Sequence, residues 1–558
     1  MDRKMDMSRR TFLGLGATAA AGAAAFGLAG CSQPKASSDK GQSDESSSPH
    51  EWEKKPDPIA DKDIKETVDC DVLIIGGGIA GMVAAQSAAE AGAKTILIEK
   101  NNEFSARGHD VACVNSHFQK EAGNTYDLDA IREAYTQITC NKTDIGLFNV
   151  WLNHSGECLD YYLDRMKADG LPVNAGSNSQ AALTSVNPLT REYPVSMQLG
   201  EQQMTADGEY TNHMFVRYVE QYAKEAGADL RYNTPAEQLV TDSNGKVTGC
   251  IAKSDDGYVK FNAKNGVILA TGGITQNDDM LKMWAPPAAK TDQILYTPFD
   301  GNTGDGLKMG MWVGAAHQKT NQATMALPSS AAKGGQNSMD GRGITWMTVS
   351  LKGKRYIRED SPGPNICHAT LPQPESQGWS IFDGNWETNI LKMCPSGKDF
   401  RNKPVTGDEK NKAIEDDIKN GLMFKADTIE DLANQMGIPA DTLSEQVKDW
   451  NAYCAAGKDD QYALPAEKLF PIDTPPFYAS RIRCGVLVVI YGLNVNAKSQ
   501  VCDENDNPID GLYAIGNCQG NFFTDSYPIL LPGISHGRCV TFGRLVGQAL
   551  ANGTEIPA

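Results

Sequence analysis

Three glycines and one carboxylate carry the clearest chemistry in this 558-residue chain. Gly76, Gly78 and Gly81 stand at G-x-G-x-x-G spacing, with Ile79 and Ala80 between the last two, and Glu99 follows eighteen residues after Gly81. A pyrophosphate needs main-chain N–H groups it can approach closely. Gly76 permits the tight turn, Gly78 opens the backbone to the phosphates, and Gly81 lets helix and strand pack against each other. The N-terminus of the following helix adds amide donors and a partial positive charge. Glu99 is placed to accept hydrogen bonds from a ribose. Together these residues specify dinucleotide binding.

Such a cradle works only between a strand and a helix, and the flanking residues supply both. Val72–Ile75 is a short β-branched run of the kind buried in parallel sheets, Met82–Ala91 has helical composition, Gly92 stops it, and Thr95–Ile98 is a second strand. Beyond it, Ser105-Ala106-Arg107-Gly108-His109 can lie over the cofactor phosphates or form an ordinary polar loop. Leu128–Ala168 and Asn212–Ala226 carry helical periodicity. Leu230–Tyr232, Gln238–Thr241 and Val247–Lys253 alternate like strands, with Ser243-Asn244-Gly245 as a hairpin turn. Gly266–Gly273 and Gly511–Asn517 are further apolar strands running into glycine, as a sheet requires where a ligand comes close.

The first thirty residues are not fold material. Ser8-Arg9-Arg10-Thr11-Phe12-Leu13 resembles a twin-arginine export signal, the Ala/Gly run to Gly30 suits its apolar region, and Leu28-Ala29-Gly30-Cys31 resembles a lipobox with Cys31 as the acylated residue. Residues 31–65 read as a polar tether between a lipid anchor and the folded body. Loss of residues 1–30 moves the net charge from −18 to −20, which argues against a nucleic-acid partner. The expected location is the outer face of the cytoplasmic membrane, reached by export and held by lipid. The other twelve cysteines show no C-x-x-C pair and the eight histidines no metal-ligand spacing, so no haem, cluster or metal site is expected.

Read jointly, Gly76–Gly81 with Glu99, Ala270-Thr271-Gly272-Gly273, Thr303-Gly304-Asp305-Gly306, Gly353–Asp360, Gly511–Asn517 and Phe542-Gly543-Arg544 resemble the fumarate reductase/succinate dehydrogenase flavoprotein family over about Cys70–Gly547. The resemblance implies an α/β chain with FAD as cofactor. A split Rossmann-like FAD-binding domain (66–340 and 485–558) would carry an inserted α+β capping domain (341–484), in which Thr428–Ala455 pairs two helices about Gly437-Ile438-Pro439. FAD contacts are implied at Gly76, Gly78, Ile79, Ala80, Gly81, Glu99 and Lys100, and at Ser105, Gly108 and Ala236. Further along they are implied at Thr271, Gly272, Asp305, Gly516, Asn517, Ile534 and Ser535. Exported flavin reductases of anaerobic gut bacteria, such as cardiac-glycoside reductase, have a similar layout. The implied partners are a small organic substrate and a separate cytochrome or quinol-linked electron donor.

Where that family grips a dicarboxylate with His and Arg, this chain reads Cys484–Gly492 and Tyr527–Ser535, with neither residue in either stretch. Carboxylates favour bidentate arginine, so a small dicarboxylate is disfavoured. Tyr527-Pro528 and Pro532-Gly533-Ile534-Ser535 are similar instead to the Tyr-Pro-Gly stretch of 3-ketosteroid dehydrogenases. The implied reaction is reduction of a C=C bond beside a carbonyl by hydride from flavin N5, or the reverse dehydrogenation. An electron carrier without its own substrate stays open. Tyr527 and the Gly533 N–H are the expected carbonyl donors, Glu359 and Arg358 the proton relay, and Tyr491 part of the substrate wall. Each has a second reading: Tyr527 and Tyr491 as packed core tyrosines, and Arg358–Glu359 as a surface ion pair. His368 and His536 are read as structural.

Overall fold

The Val72–Ile75 run forms the buried end of a longer strand, Ile64–Ile75, whose first half is largely exposed and whose last four residues are fully enclosed. The computed structural model describes residues 50–106, 110–171, 173–175, 193, 195–199, 214–291, 301–329, 338–339, 344–398 and 404–557. Trp52–Ala558 form one compact unit.

Five parallel strands make the centre of the main sheet, in the order Pro508–Ala514, Gly257–Leu269, Ile64–Ile75, Thr95–Ile98, Asp229–Arg231. Gln500–Cys502 closes one edge, and Ala236–Thr241 with Val247–Ser254 adds an antiparallel hairpin. The register aligns Ile75 with Ile98 and Leu269, and Leu269 with Ala514. Four carboxyl ends therefore finish level, and the residues that follow them (Gly76, Glu99, Ala270, Ile515) share one edge. That is where ligands of open α/β sheets bind. The Rossmann-like expectation is met.

A second, six-stranded sheet is organised by one strand of 14 residues, Phe477–Ile490. Its first part pairs with Gly378–Phe382 and Met423–Ala426, while Arg483–Ile490 pairs with Ala323–Ser329. The expected boundary at 484/485 thus falls inside a continuous strand, close to where its partners change. Around the first part lie two apolar clusters belonging to the cap, one built on Trp379, Leu432 and Trp450, the other on Trp346, Phe382 and Trp386. The helix Gly363–Thr370, by contrast, packs Cys367 into the main core.

Three local expectations shift. Leu128–Ala168 is two helices, Leu128–Ile138 and Ile145–Ala168, because Cys140 and Asn141 turn left-handed (φ 53° and 57°) and the Asp144 carboxylate caps the second helix at the Gly146 and Leu147 amides. The cap pair is realised as Ile429–Met436 and Ala440–Ala456, separated at left-handed Gly437. The expected tether is anchored before its end: Trp52 is buried, its ring lies tilted 4.9 Å from that of Trp284, and its carbonyl accepts a hydrogen bond from Trp312 Nε1.

Candidate active site

At the sheet edge the Gly76 N–H donates to the Ile98 carbonyl (2.8 Å), closing the turn. A Cβ on Gly76 (φ +108°) would stand 2.5 Å from the Ala270 carbonyl oxygen, and one on Gly81 would overlap the Gly76 carbonyl oxygen. Gly78 differs: among the described residues a Cβ there meets only the Ser105 carbonyl oxygen, at 3.6 Å. Two glycines are needed by the fold and one leaves a gap. The helix Ile79–Glu90 starts at Gly78 with no side-chain cap and no acid in its first turn, so its N-terminus presents an uncompensated positive end. The Ile79 and Ala80 amides belong to that end. This cradle fits a pyrophosphate.

Glu99 is 7% exposed. One carboxylate oxygen accepts the Gly77 N–H (2.6 Å) and the other the Asn101 N–H (2.9 Å), so the acid first shapes the loop that holds the phosphates. Beside it the Asn101 Nδ2 is buried without a partner among the described residues, a donor that suits the adenosine half of FAD. Ala236 opens its strand two residues after Thr234, whose N–H donates to the Glu99 carbonyl. Lys100 does not point free toward phosphate: its Nζ bonds Thr303 Oγ1 (2.8 Å) and Asp305 Oδ2 (2.9 Å), and Lys308 takes the other Asp305 oxygen (2.8 Å). Burial works against the Asp305 charge, but the two lysines hold its carboxyl below the usual range. Thr271 Oγ1 accepts the Gly306 N–H (3.0 Å), and left-handed Gly272 is filled on its side-chain face by Asn302. Gly108 lies outside the described residues.

The C-terminal residues complete the edge. Left-handed Gly516 lies against Ala80 of the glycine-loop helix. Asn517 Oδ1 accepts from Ser535 Oγ (3.3 Å) and from Arg538 Nη2 (2.8 Å). Gly533 (φ +82°) caps the terminal helix Ile534–Asn552, and its carbonyl receives the Ala112 N–H. In the first turn of that helix the Ser535 N–H donates to Tyr527 Oη (2.9 Å), and Ile534 is buried. Tyr527 is 7% exposed, burial pushes its phenol well above the ordinary range, and its hydroxyl keeps a proton to donate onward. Tyr527, Gly533, Ile534, Ser535, Asn517 and Gly516 therefore come together.

The remaining expected residues do not join them. Tyr491 stacks on Trp284 (4.5 Å) and its hydroxyl is shared with His317 Nδ1 (2.8 Å), so it is a packed tyrosine with a satisfied hydroxyl. Arg358 and Glu359 are not paired with each other. Arg358 bonds Asp360 (2.6 and 3.0 Å), which also receives Lys468. Glu359 is fully buried on Arg355 (2.6 and 2.9 Å), which also reaches Asp459 (3.0 and 3.1 Å). One guanidinium serves two carboxylates here: burial pushes Glu359 up, while for Asp459 burial is outweighed by Arg355 and three amides, and its carboxyl falls to about 2. This triad ties the Arg355–Glu359 turn to Asp459 within the cap.

A residue read as structural is placed more suggestively. His368 stands on the helix Gly363–Thr370 with the Thr324 main chain within hydrogen-bonding reach of its ring, and burial pulls its pKa down. Thr324 pairs with Val489 on one side and Ser526 on the other, so it lies between the two stretches expected to wall the substrate. The His368 Nε2 is buried without a partner among the described residues. Nothing in the local sequence marks this, because the ring is positioned by strands 44 residues before it and 121 and 158 residues after it.

The sequence and the fold are shared with known proteins. A vinyl phenol reductase of Lactiplantibacillus plantarum is 26% identical over 87% of this chain and 97% of its own. A fumarate reductase (cytochrome) of Shewanella frigidimarina is 27% identical over 86% and 77%. The fold matches the solved 3-ketosteroid-delta4-(5alpha)-dehydrogenase of Rhodococcus jostii RHA1 with a TM-score of 0.67, at 21% identity over 88% of this chain and 99% of that one. The FAD_binding_2 family model, an FAD binding domain, matches residues 71–529. The chain belongs to that family and is an FAD-dependent oxidoreductase.

Proposed function

We propose that this FAD-dependent oxidoreductase, acting on CH–CH bonds, reduces the C=C bond of an α,β-unsaturated carbonyl compound outside the cytoplasmic membrane. The observation that carries the reading is the pair formed by Tyr527 and the first turn of the terminal helix. FAD, when bound, supplies the hydride. The Ser535 N–H fixes the Tyr527 hydroxyl oxygen and leaves its proton for one substrate oxygen, while the helix N-terminus at Gly533, with no acid in its first turn, favours negative charge there. His368, beside the strand between the two walls, is assigned the relay of a proton to the α-carbon; burial pulls its pKa down, so the ring takes up a proton at one nitrogen as it passes one on from the other rather than storing the charge. Residues 485–492 and 527–535 contribute mainly apolar side chains and no Arg or Lys. A compound needing one hydrogen-bonded oxygen amid apolar surface suits them better than a dicarboxylate. Vinyl phenols and 3-ketosteroids, the compounds in the names of two similar proteins, carry no carboxylate.

Anaerobic turnover with reduced viologen against enones, cinnamates, 3-ketosteroids and fumarate tests the reading. A neutral enone is expected to be reduced faster than fumarate; fumarate as best substrate would overturn it, and oxidation of a saturated ketosteroid in preference would reverse the direction. Electrons come from a separate redox partner in this reading. Export rests on Arg9-Arg10 and the Leu28–Cys31 lipobox. Fractionation of the native host should find the protein in the membrane fraction and Cys31→Ala released as a soluble exported form; wild type at full length in the cytoplasm would show the leader misread.

A further inference from the structure

Arg538 is 0% exposed, and among the described residues no carboxylate pairs with it. Its Nη2 donates to Asn517 Oδ1 (2.8 Å) and its Nη1 to the Gln519 carbonyl (3.4 Å); the guanidinium stands over the rings of Phe523 (4.7 Å) and Phe522 (5.2 Å), and Nε has no partner among the described residues. Arg355, by contrast, whose side chain is likewise enclosed, is met by two carboxylates. A buried cation with only neutral partners costs several kcal/mol, and burial accordingly pulls the Arg538 pKa down. Such a charge is tolerable if negative charge is supplied by something the chain itself does not contain.

Its position says what. The terminal helix runs parallel to the glycine-loop helix, with Gly543 against Ala80 and Gly547 against Ala84. By that register it starts eight residues further out, roughly 12 Å at 1.5 Å per residue. Arg538, in its second turn, is thus beyond the phosphate cradle on the side toward which an extended dinucleotide carries its second half. Asn517, its hydrogen-bond partner, also holds Ser535 in the first turn and follows Gly516, which touches Ala80. Two electrons and one proton taken up by the flavin ring would leave one negative charge on it, and a fixed buried cation on that side would favour that charge through an interior that screens it little.

We propose that Arg538 is a positioning residue for redox potential: its fixed charge, behind Asn517 and the first turn of the terminal helix, stabilises the reduced cofactor and raises the midpoint potential of bound FAD. The inference rests on FAD binding alone and is independent of the substrate.

The test is dye-coupled reductive titration of the holoprotein, read as the midpoint potential of bound FAD, for wild type, Arg538→Lys and Arg538→Gln. Lysine keeps the charge, whereas glutamine keeps a hydrogen bond to Asn517 and removes the charge. Arg538→Gln is expected to shift the oxidised-to-reduced ratio ten- to thirtyfold toward the oxidised form, a fall of about 30–45 mV for a two-electron couple, with Arg538→Lys staying near wild type. A potential unchanged in Arg538→Gln, or lowered equally in both variants, would overturn the proposal. Should Arg538→Gln release FAD on purification, the same quantity is the ratio of Kd values for reduced and oxidised FAD. An equal loss for both forms would then overturn it.

Discussion

Gly78→Val separates the demands of the fold from those of the cofactor. At this position the backbone is extended (φ −74°, ψ −175°), a conformation open to any residue, and a Cβ meets no described atom closer than 3.6 Å. The apoprotein should tolerate the change: an unfavourable N-cap residue costs about 1 kcal/mol, partly offset by roughly 0.4–1 kcal/mol from the smaller unfolded-state entropy of a non-glycine residue. Its melting temperature should stay within about 2 °C of the wild-type apoprotein. The gap itself is what a phosphate oxygen needs to reach main-chain N–H groups at about 2.9 Å, and a branched side chain fills it. Loss of two charge-assisted hydrogen bonds at roughly 1.5–3 kcal/mol each should weaken the Kd for FAD by about 10²–10⁴-fold. The assay is flavin stoichiometry from absorbance after gel filtration, Kd by calorimetry on reconstituted apoprotein, and melting with and without FAD. Gly81→Ala is the control, since its Cβ overlaps the Gly76 carbonyl and should destabilise the apoprotein itself. Full flavin at wild-type affinity in Gly78→Val would refute the placement of the phosphates.

Tyr527→Phe should lower kcat and kcat/KM together by ~10²-fold, as loss of a transition-state donor does, with FAD content unchanged. Tyr491→Phe should leave turnover intact and cost about 1 kcal/mol in a denaturant titration, because its hydroxyl serves His317 rather than substrate. His368→Gln should slow turnover by ~10²-fold or more while the flavin spectrum stays constant; wild-type rates would remove it from the reaction. Arg355→Met should destabilise the protein by about 3–5 kcal/mol by stranding two buried carboxylates, without changing flavin content in the folded fraction. The same triad gives wild type an acid limit. Asp459 is depressed in the folded state to about 2, so its contribution is present above the ordinary carboxylate range near 3.8 and is lost as pH falls through about 2. A melting temperature independent of pH across that window would contradict the pairing.

What the sequence determined by itself was local: a β-branched strand, three glycines at fixed spacing, a helix and a carboxylate lie within thirty residues, and each imposes its own conformation on the chain. The FAD cradle was legible for that reason, as were the helix pair at Gly437 and the strands ending in glycine. The partners of the side chains were not legible, because they are brought together by packing over long separations. Tyr491 meets His317 across 174 positions, and Arg355 meets Asp459 across 104. Arg358 and Glu359, adjacent in sequence, diverge into different ion pairs because one side chain faces the interior of the cap and the other its surface. His368 gained its place from the sheet beneath it, and Arg538 its burial from the loop Asn517–Phe523 that wraps it. Motif chemistry is written in adjacent residues. Whether a tyrosine hydroxyl or a guanidinium is spent on the fold or left for a ligand depends on neighbours that only the tertiary structure supplies.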